Sequence, residues 1–228
     1  MATYEEIHGK RVEIFDSDPT LDSSYEGQVW YNSATGTLRS VVSFAAWSSS
    51  VNSPVVFVAA GATGPQTANL VFSGYGPGSP SPVPAGILTT AEYNGSGWTT
   101  GGNMGDGRAY ISGAGTQTAG LAIAGLDSSP NRSAKTEEYN GTSWSEQNDL
   151  STARGQAVGT GLQTAAICAT GDANPPDYST SVENYDGTSW TNGTAVSLGR
   201  RVSTGNGTQT STIIIAGNIA PSDTKTGL

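Results

Sequence analysis

Apolar residues in this chain come in short runs, each closed by a glycine. Four such runs read NLVFSG (69–74), GLAIAG (120–125), AICATG (166–171) and TIIIAG (212–217). Runs this short, bounded by Gly, Ser, Thr and Asn, predict buried strands. After the first three comes a polar phrase holding one Tyr, a turn dipeptide and one Trp: TAEYNGSGW (90–98), TEEYNGTSW (136–144) and SVENYDGTSW (181–190). Asn-Gly or Asp-Gly between two strand-like segments predicts a tight hairpin, with the dipeptide supplying positive φ angles.

The phrases keep register. Trp47, Trp98, Trp144 and Trp190 are separated by 51, 46 and 46 residues. Each is followed 19 positions later by a glutamine: Gln66, Gln117, Gln163 and Gln209. Arg108, Arg154 and Arg200 stand ten positions after the last three tryptophans, and Phe57 takes that slot after the first. The surplus in the first step lies in YGPGSPSPVPAGIL (75–88), a Pro/Gly/Ser-rich stretch that reads as a surface loop. Repeats near 46 residues built only of strand and turn signals predict propeller blades. Each unit reads as four strands: a GQAVGTG-like segment after the Arg, the apolar run, a strand ending in Tyr93, Tyr139 or Tyr185, and a strand starting at the Trp. The units span about 47–97, 98–143, 144–189 and 190–228.

The order apolar strand–Gly, variable loop, Tyr, hairpin, Trp, Arg resembles kelch repeats. The resemblance covers Trp47 to the C-terminus, and it implies an all-β, kelch-like β-propeller of about four four-stranded blades. It also implies that Tyr139 with Trp144, and Tyr185 with Trp190, pack between neighbouring blades. One departure is that a kelch unit carries Gly-Gly after its second strand, whereas Gly74, Gly125, Gly171 and Gly217 stand alone. A tyrosine 46 positions after Tyr185 would fall past Leu228, so the fourth unit stops before its outer two strands. EGQVWYNSATGTLRS (26–40) reads as a strand, a turn and a strand with its own Tyr31-Asn32. That hairpin is a candidate for the missing strands, because an open propeller leaves exposed edges. A small closed ring, strand exchange between subunits of a homo-oligomer, and a longer chain are the open outcomes.

Residues 1–38 do not follow the repeat and form an N-terminal attachment segment; the repeat domain is 39–228. GKRVEIFDSDPTLDSSYEGQVWYNSATGTLRS resembles hairpin segments in tail and fibre proteins of bacteriophages. Joined to kelch-like units with GTQTA strands, it resembles structural proteins of marine phages, especially those infecting cyanobacteria. The resemblance implies a virion component made in the host cytoplasm: a tail fibre or appendage that binds the host surface, or alternatively a capsid decoration or connector without receptor binding. Residues 1–38 would then contact other virion proteins.

Composition narrows the chemistry. The net charge is −9, with only ten Lys and Arg, so no nucleic-acid partner is expected. The start MATYEEIHGKRVE lacks the apolar segment of a signal peptide, and IIIAG (213–217) is too short to cross a bilayer, so no membrane insertion is expected. A lone Cys168 precludes an intrachain disulfide and reads as a buried small hydrophobe. With one histidine, His8, neither a Ser-His-Asp site nor a His-based metal site is supported. No glycine-rich phosphate loop is present, so no cofactor is expected. YDGTSW (185–190) resembles the Asp-box turn of sialidases but is one residue short. Glu137 and Glu138 are strand neighbours, which point to opposite faces and cannot flank one glycosidic bond. DSDPTLD (16–22) lacks the Gly and Glu of a calcium loop and reads as an acidic turn. Asn94, Asn131, Asn140, Asn192 and Asn206 match a glycan-acceptor pattern but read as turn residues. The expectation is a protein without catalysis.

Binding is expected on the loops between the second and third strands, where the units differ most: 75–87, 126–133, 172–178 and 218–223. Tyr75, Asp127, Asn131, Arg132, Asp177 and Tyr178 are the candidates there, with side chains able to hydrogen-bond to or stack on a host-surface glycan.

Overall fold

The computed structural model describes residues 12–19, 29–40, 51–76, 86–127, 131–173, 177–219 and 224–225. The chain divides into two compact units, Met1–Ser49 and Ser50–Leu228. Among the described residues every regular element is a strand.

In the first unit, β1 (Glu13–Phe15) runs parallel to β2 (Val29–Asn32), which pairs antiparallel with β3 (Thr37–Ser40). Alternation along β2 buries Trp30 and Asn32 and exposes Val29 and Tyr31. Asp18, from the acidic stretch, accepts hydrogen bonds from Asn32 Nδ2 (2.9 Å) and Trp30 Nε1 (3.1 Å). These bonds, the one from Asn32 foremost, hold its carboxyl below the usual carboxylate range. Asp18 therefore fastens the hairpin.

The second unit carries the repeat. Three sheets have four strands each, hydrogen-bonded in chain order and antiparallel throughout. The first is β4 (Gly61–Thr63), β5 (Asn69–Phe72), β6 (Thr90–Tyr93) and β7 (Trp98–Thr100). The second is β8 (Ser112–Gly115), β9 (Gly120–Ile123), β10 (Thr136–Tyr139) and β11 (Trp144–Gln147). The third is β12 (Val158–Leu162), β13 (Ala165–Ala169), β14 (Val182–Tyr185) and β15 (Trp190–Asn192). Then come β16 (Arg200–Arg201), the hairpin β17 (Thr204–Thr208)–β18 (Ser211–Ile215), and β19 (Asn218–Ile219) with β20 (Thr224–Lys225). β17 and β18 are the first two strands of a fourth unit. Among the described residues β18 has one ladder partner, β17, and β1, β2 and β3 form one three-stranded sheet. That hairpin also pairs Tyr31 with Leu38, where the repeats pair Tyr93, Tyr139 and Tyr185 with Trp98, Trp144 and Trp190.

The turn phrase works differently from the expectation. Tyr139 faces Trp144 across a four-residue loop, and only the glycine takes a positive φ: 91° at Gly95, 90° at Gly141 and 92° at Gly187. The Asn or Asp is instead an acceptor for backbone N–H groups, from Ser96 and Gly97 to Asn94, from Thr142 and Ser143 to Asn140, and from Thr188 and Ser189 to Asp186. These are Asx turns. Asp186 is held below the usual carboxylate range chiefly by Ser189 N–H, so the Asp-box-like phrase is a turn device.

Sheets stack through recurring contacts. Leu70 and Phe72 of the first sheet pack with Ile111, Ala122 and Tyr139 of the second, and Trp144 lies edge-on to Phe72 at 4.9 Å between ring centroids. Leu121 and Ile123 of the second pack with Ala166, Cys168 and Tyr185 of the third. Trp144 Nε1 donates to Thr90 Oγ1 and Trp190 Nε1 to Thr136 Oγ1, both at 2.9 Å. Tyr139 donates to Glu92 Oε1 and Tyr185 to Glu138 Oε1 of the preceding sheet. Gln117, Gln163 and Gln209 each donate to two carbonyls of the preceding sheet. This accounts for the repeated Tyr, Trp and Gln; Trp47 lies outside the described residues.

At the opposite end, the backbone N–H of Tyr110 bonds Ala59 O, Gln156 N–H bonds Tyr110 O, and Val202 N–H bonds Gln156 O. All four residues have positive φ and line one cavity of about 280 Å³ with neighbours from all four units. A second family of positive-φ residues, Ser73, Ala124, Thr170 and Ala216, precedes the lone glycines. The first position of a Gly-Gly pair is thus occupied by another residue that still adopts the left-handed conformation, a strained choice for anything but glycine. At Gly125 a φ of 112° strains any other residue, and a Cβ there would press on Ala109 O at 3.0 Å.

Candidate binding surface

The repeated arginines face inward. Arg108 and Arg154 are fully buried. Arg108 Nη1 donates to Ala124 O (2.8 Å) and Lys135 O (2.5 Å), and Nη2 to Glu137 Oε1 (2.9 Å). Glu137 Oε2 accepts from Gly105 N–H. Arg154 repeats this with Thr170 O, Ser181 O and Glu183, whose other oxygen accepts from Ser151 N–H. Each guanidinium ties the ends of the second and third strands to the segment entering the first. Burial pulls the Arg108 guanidinium down from its ordinary value, and Glu137 opposes that shift. Both carboxylate oxygens are engaged, as a buried charge requires. Arg200 Nη1 donates to Ala216 O, the counterpart of Ala124 O and Thr170 O. In the first unit Phe57 stands in the arginine slot and Ala91 in the carboxylate slot. That swap is coordinated, an apolar pair for an ionic one. Glu138, as the strand alternation requires, faces away from Glu137 and accepts from Tyr185.

The candidate loop residues fall into three groups. Arg132 Nη2 lies 2.9 and 3.1 Å from the two oxygens of buried Asp172 and 3.9 Å from Asp177. Arg201 approaches Asp172 from the other side at 3.9 Å, with its guanidinium 4.9 Å above the Tyr178 ring. Arg132, Asp177 and Tyr178 are therefore brought together, with Asp172 and Arg201 between them. Asp127 and Asn131 close a loop by two hydrogen bonds, Asp127 N–H to Asn131 O and Asn131 N–H to Asp127 Oδ1, both 3.0 Å. Tyr75 is apart from both groups, 6.5 Å from Tyr110 between ring centroids. The tips of three of these loops, 77–85, 128–130 and 174–176, and residues 220–223 of the fourth lie outside the described residues.

Beside the Arg132 group opens a cleft of about 610 Å³. Its lining includes Asp106, Asp127, Arg132, Lys135 and Asp149, together with Gly86, Gly105 and Gly107 and the apolar Leu88 and Ala134. Lys135 bridges Asp106 and Glu146, and Asp106 holds its ammonium above the ordinary lysine range. Asp106, Lys135, Asp149 and Arg201 were not singled out in the sequence. The first three belong to no repeated position, and the Arg200-Arg201 doublet was the sole signal for the fourth. Among the described residues no group of three His, Cys, Asp or Glu side chains is placed to hold a metal ion, and no helix is long and apolar enough to cross a membrane.

No protein-family model and no curated protein sequence matches this chain. The solved structure of YjhT matches with a TM-score of 0.62, covering 86% of this chain and 69% of that one at 14% identity. The chain thus shares with YjhT an all-β fold.

Proposed function

We propose that this chain is a non-catalytic virion structural protein of a bacteriophage, a tail-fibre or appendage component that binds host-surface carbohydrate in the cleft beside Arg132. Its repeat domain is a kelch-like β-propeller. Supporting that architecture, the first strands of successive sheets lie side by side and four repeats converge on one cavity. Supporting the virion reading are the N-terminal hairpin segment and its resemblance to phage fibre proteins.

The observation that carries the binding reading is the cleft. Its lining combines the carboxylates Asp106, Asp127 and Asp149 with the cations Arg132 and Lys135 and the apolar Leu88 and Ala134, a mixture that suits the hydroxyls and C–H faces of a sugar. The repeat's other charged pairs, Arg108–Glu137 and Arg154–Glu183, are buried and bonded to the backbone around them, which supports a role in architecture and not in catalysis. Residues 1–38 would dock on other virion proteins.

Immunogold labelling of intact virions tests the location. Label at tail tips or fibre ends is expected; label over the head moves the protein to the decoration role, and particles without label overturn the virion reading. Replacing Arg132 and Tyr178 together by alanine tests the binding. Loss of cell binding with the fold retained is expected, and unchanged binding by the folded double variant rejects this surface.

A further inference from the structure

The two ends of the repeat array carry the two halves of one contact. Between sheets, the second strand offers two apolar residues to the next sheet: Leu70 and Phe72, then Leu121 and Ile123, all fully buried. In β18 the same positions hold Ile213 and Ile215, which are 59% and 42% exposed. At the other end, the receiving face of the first sheet is Val71, Tyr93 and Trp98; Val71 and Tyr93 are half-buried where their counterparts Ala122, Cys168, Tyr139 and Tyr185 are fully buried, and Trp98 is half-buried as Trp144 and Trp190 are. Gln66 is exposed, and among the described residues it makes none of the carbonyl bonds that Gln117, Gln163 and Gln209 make to the preceding sheet.

We infer that a second copy of this chain seats its first sheet on the open face of β18, head to tail, repeating between molecules the contact that the chain builds between its own sheets. The argument is continuity. The partner surface needed by Ile213 and Ile215 is the surface that the chain presents at Val71, Tyr93 and Trp98, in the same order and on the same strands. Thr212 O occupies the position of Asn69, Gly120 and Ala166 O, the carbonyls to which the repeat glutamines donate, so it is the acceptor for a partner's Gln66. β18 also leaves its outer backbone edge without a ladder partner among the described residues. An apolar face beside an open edge favours association. Because the two surfaces differ, the interface is heterologous and generates a ring or a filament. The inference rests on the repeat geometry alone, independently of the virion and carbohydrate readings.

Sedimentation of the full chain and two variants tests it. Wild type is expected to assemble with rising concentration. Ile213→Asp spoils one face and Val71→Asp the other, each weakening self-association roughly tenfold or more by placing a charge in an apolar contact. Circular dichroism should report unchanged strand content for both. Mixing the two variants should restore a one-to-one dimer, since each retains the face the other lacks. A wild type that stays monomeric throughout the micromolar range overturns the inference, as do folded variants that assemble like wild type or a mixture that yields no dimer.

Discussion

The second and third sheets and the two ends of the array are written in the same phrase but built to different standards. In the middle, Tyr139 and Tyr185 are fully buried and donate to carboxylates of the preceding sheet, and Arg108 and Arg154 are sealed against Glu137 and Glu183. At the start, Tyr93 is half-buried and donates to Gly95 O within its own turn, and the ionic pair gives way to Phe57 and Ala91. At the end, Arg200 donates to Ala216 O, and Ile213 and Ile215 face outward. The same residues stabilise the fold only where a neighbouring sheet removes them from water. Position in the array, more than residue type, sets what each contributes.

The largest break in that contrast should come from the middle pair. Glu183→Ala leaves Arg154 charged, buried and unpaired, and should cost about 3–5 kcal/mol in urea unfolding. A loss below about 1 kcal/mol would mean that the site hydrates or relaxes in a way its burial does not suggest. Next comes Tyr185→Phe. It removes a hydrogen bond to the Glu138 carboxylate and should cost about 1.5–3 kcal/mol, while Tyr93→Phe should cost less, because the bond to Gly95 O is to an exposed neutral carbonyl. Equal losses at both positions would erase the distinction between middle and end.

Alkaline titration sharpens the same contrast. Burial pushes the Cys168 thiol up to about 12 from 9.0, and burial with the bond to Glu92 pushes Tyr139 up to about 12 from 10.0; Tyr185 shifts in the same direction. The fold prefers the protonated forms, so their contribution is intact below about pH 9. It is lost as pH rises toward about 12, because the unfolded chain ionises first. The melting temperature should therefore hold between neutral pH and about pH 9, then fall, with a shallower fall in Tyr185→Phe. A curve that stays level up to pH 11 would contradict the burial of these groups. The smallest effect belongs to the N-terminal unit. Asp18→Asn should loosen the Trp30 anchor and change Trp30 fluorescence, with the repeat domain melting as before. In the parent protein that anchor weakens as pH falls through the lowered Asp18 titration, because the depressed carboxylate contributes stability only while ionised.

Much of the repeat was legible in the sequence because it is written at fixed distances. The four-strand order follows from register, and the Tyr–Trp packing between sheets was implied by the resemblance to kelch repeats. The partner of each arginine was not legible. Glu137 and Glu138 are adjacent acids, and only the strand pairing turns the first toward Arg108 and the second toward Tyr185. Nor was the strain at Ser73, Ala124, Thr170 and Ala216, because their residue types give no hint of a positive φ. The Asn-Gly phrase was read as a two-residue turn, since sequence alone does not distinguish an asparagine in the left-handed region from one that caps a longer loop. The cleft escaped notice because Asp106, Lys135 and Asp149 come from separate loops and repeat nowhere.

The central claim is that the repeated charges serve architecture and not chemistry. Writing the first unit's solution into the third tests it most directly. The double variant Arg154→Phe/Glu183→Ala should recover most of the stability lost in Glu183→Ala alone, since replacing a buried ion pair by apolar groups is often close to neutral, and it should bind cells as the parent does. Losses that simply add, or a folded double variant that no longer binds, would contradict the account and give Arg154 and Glu183 a part in binding.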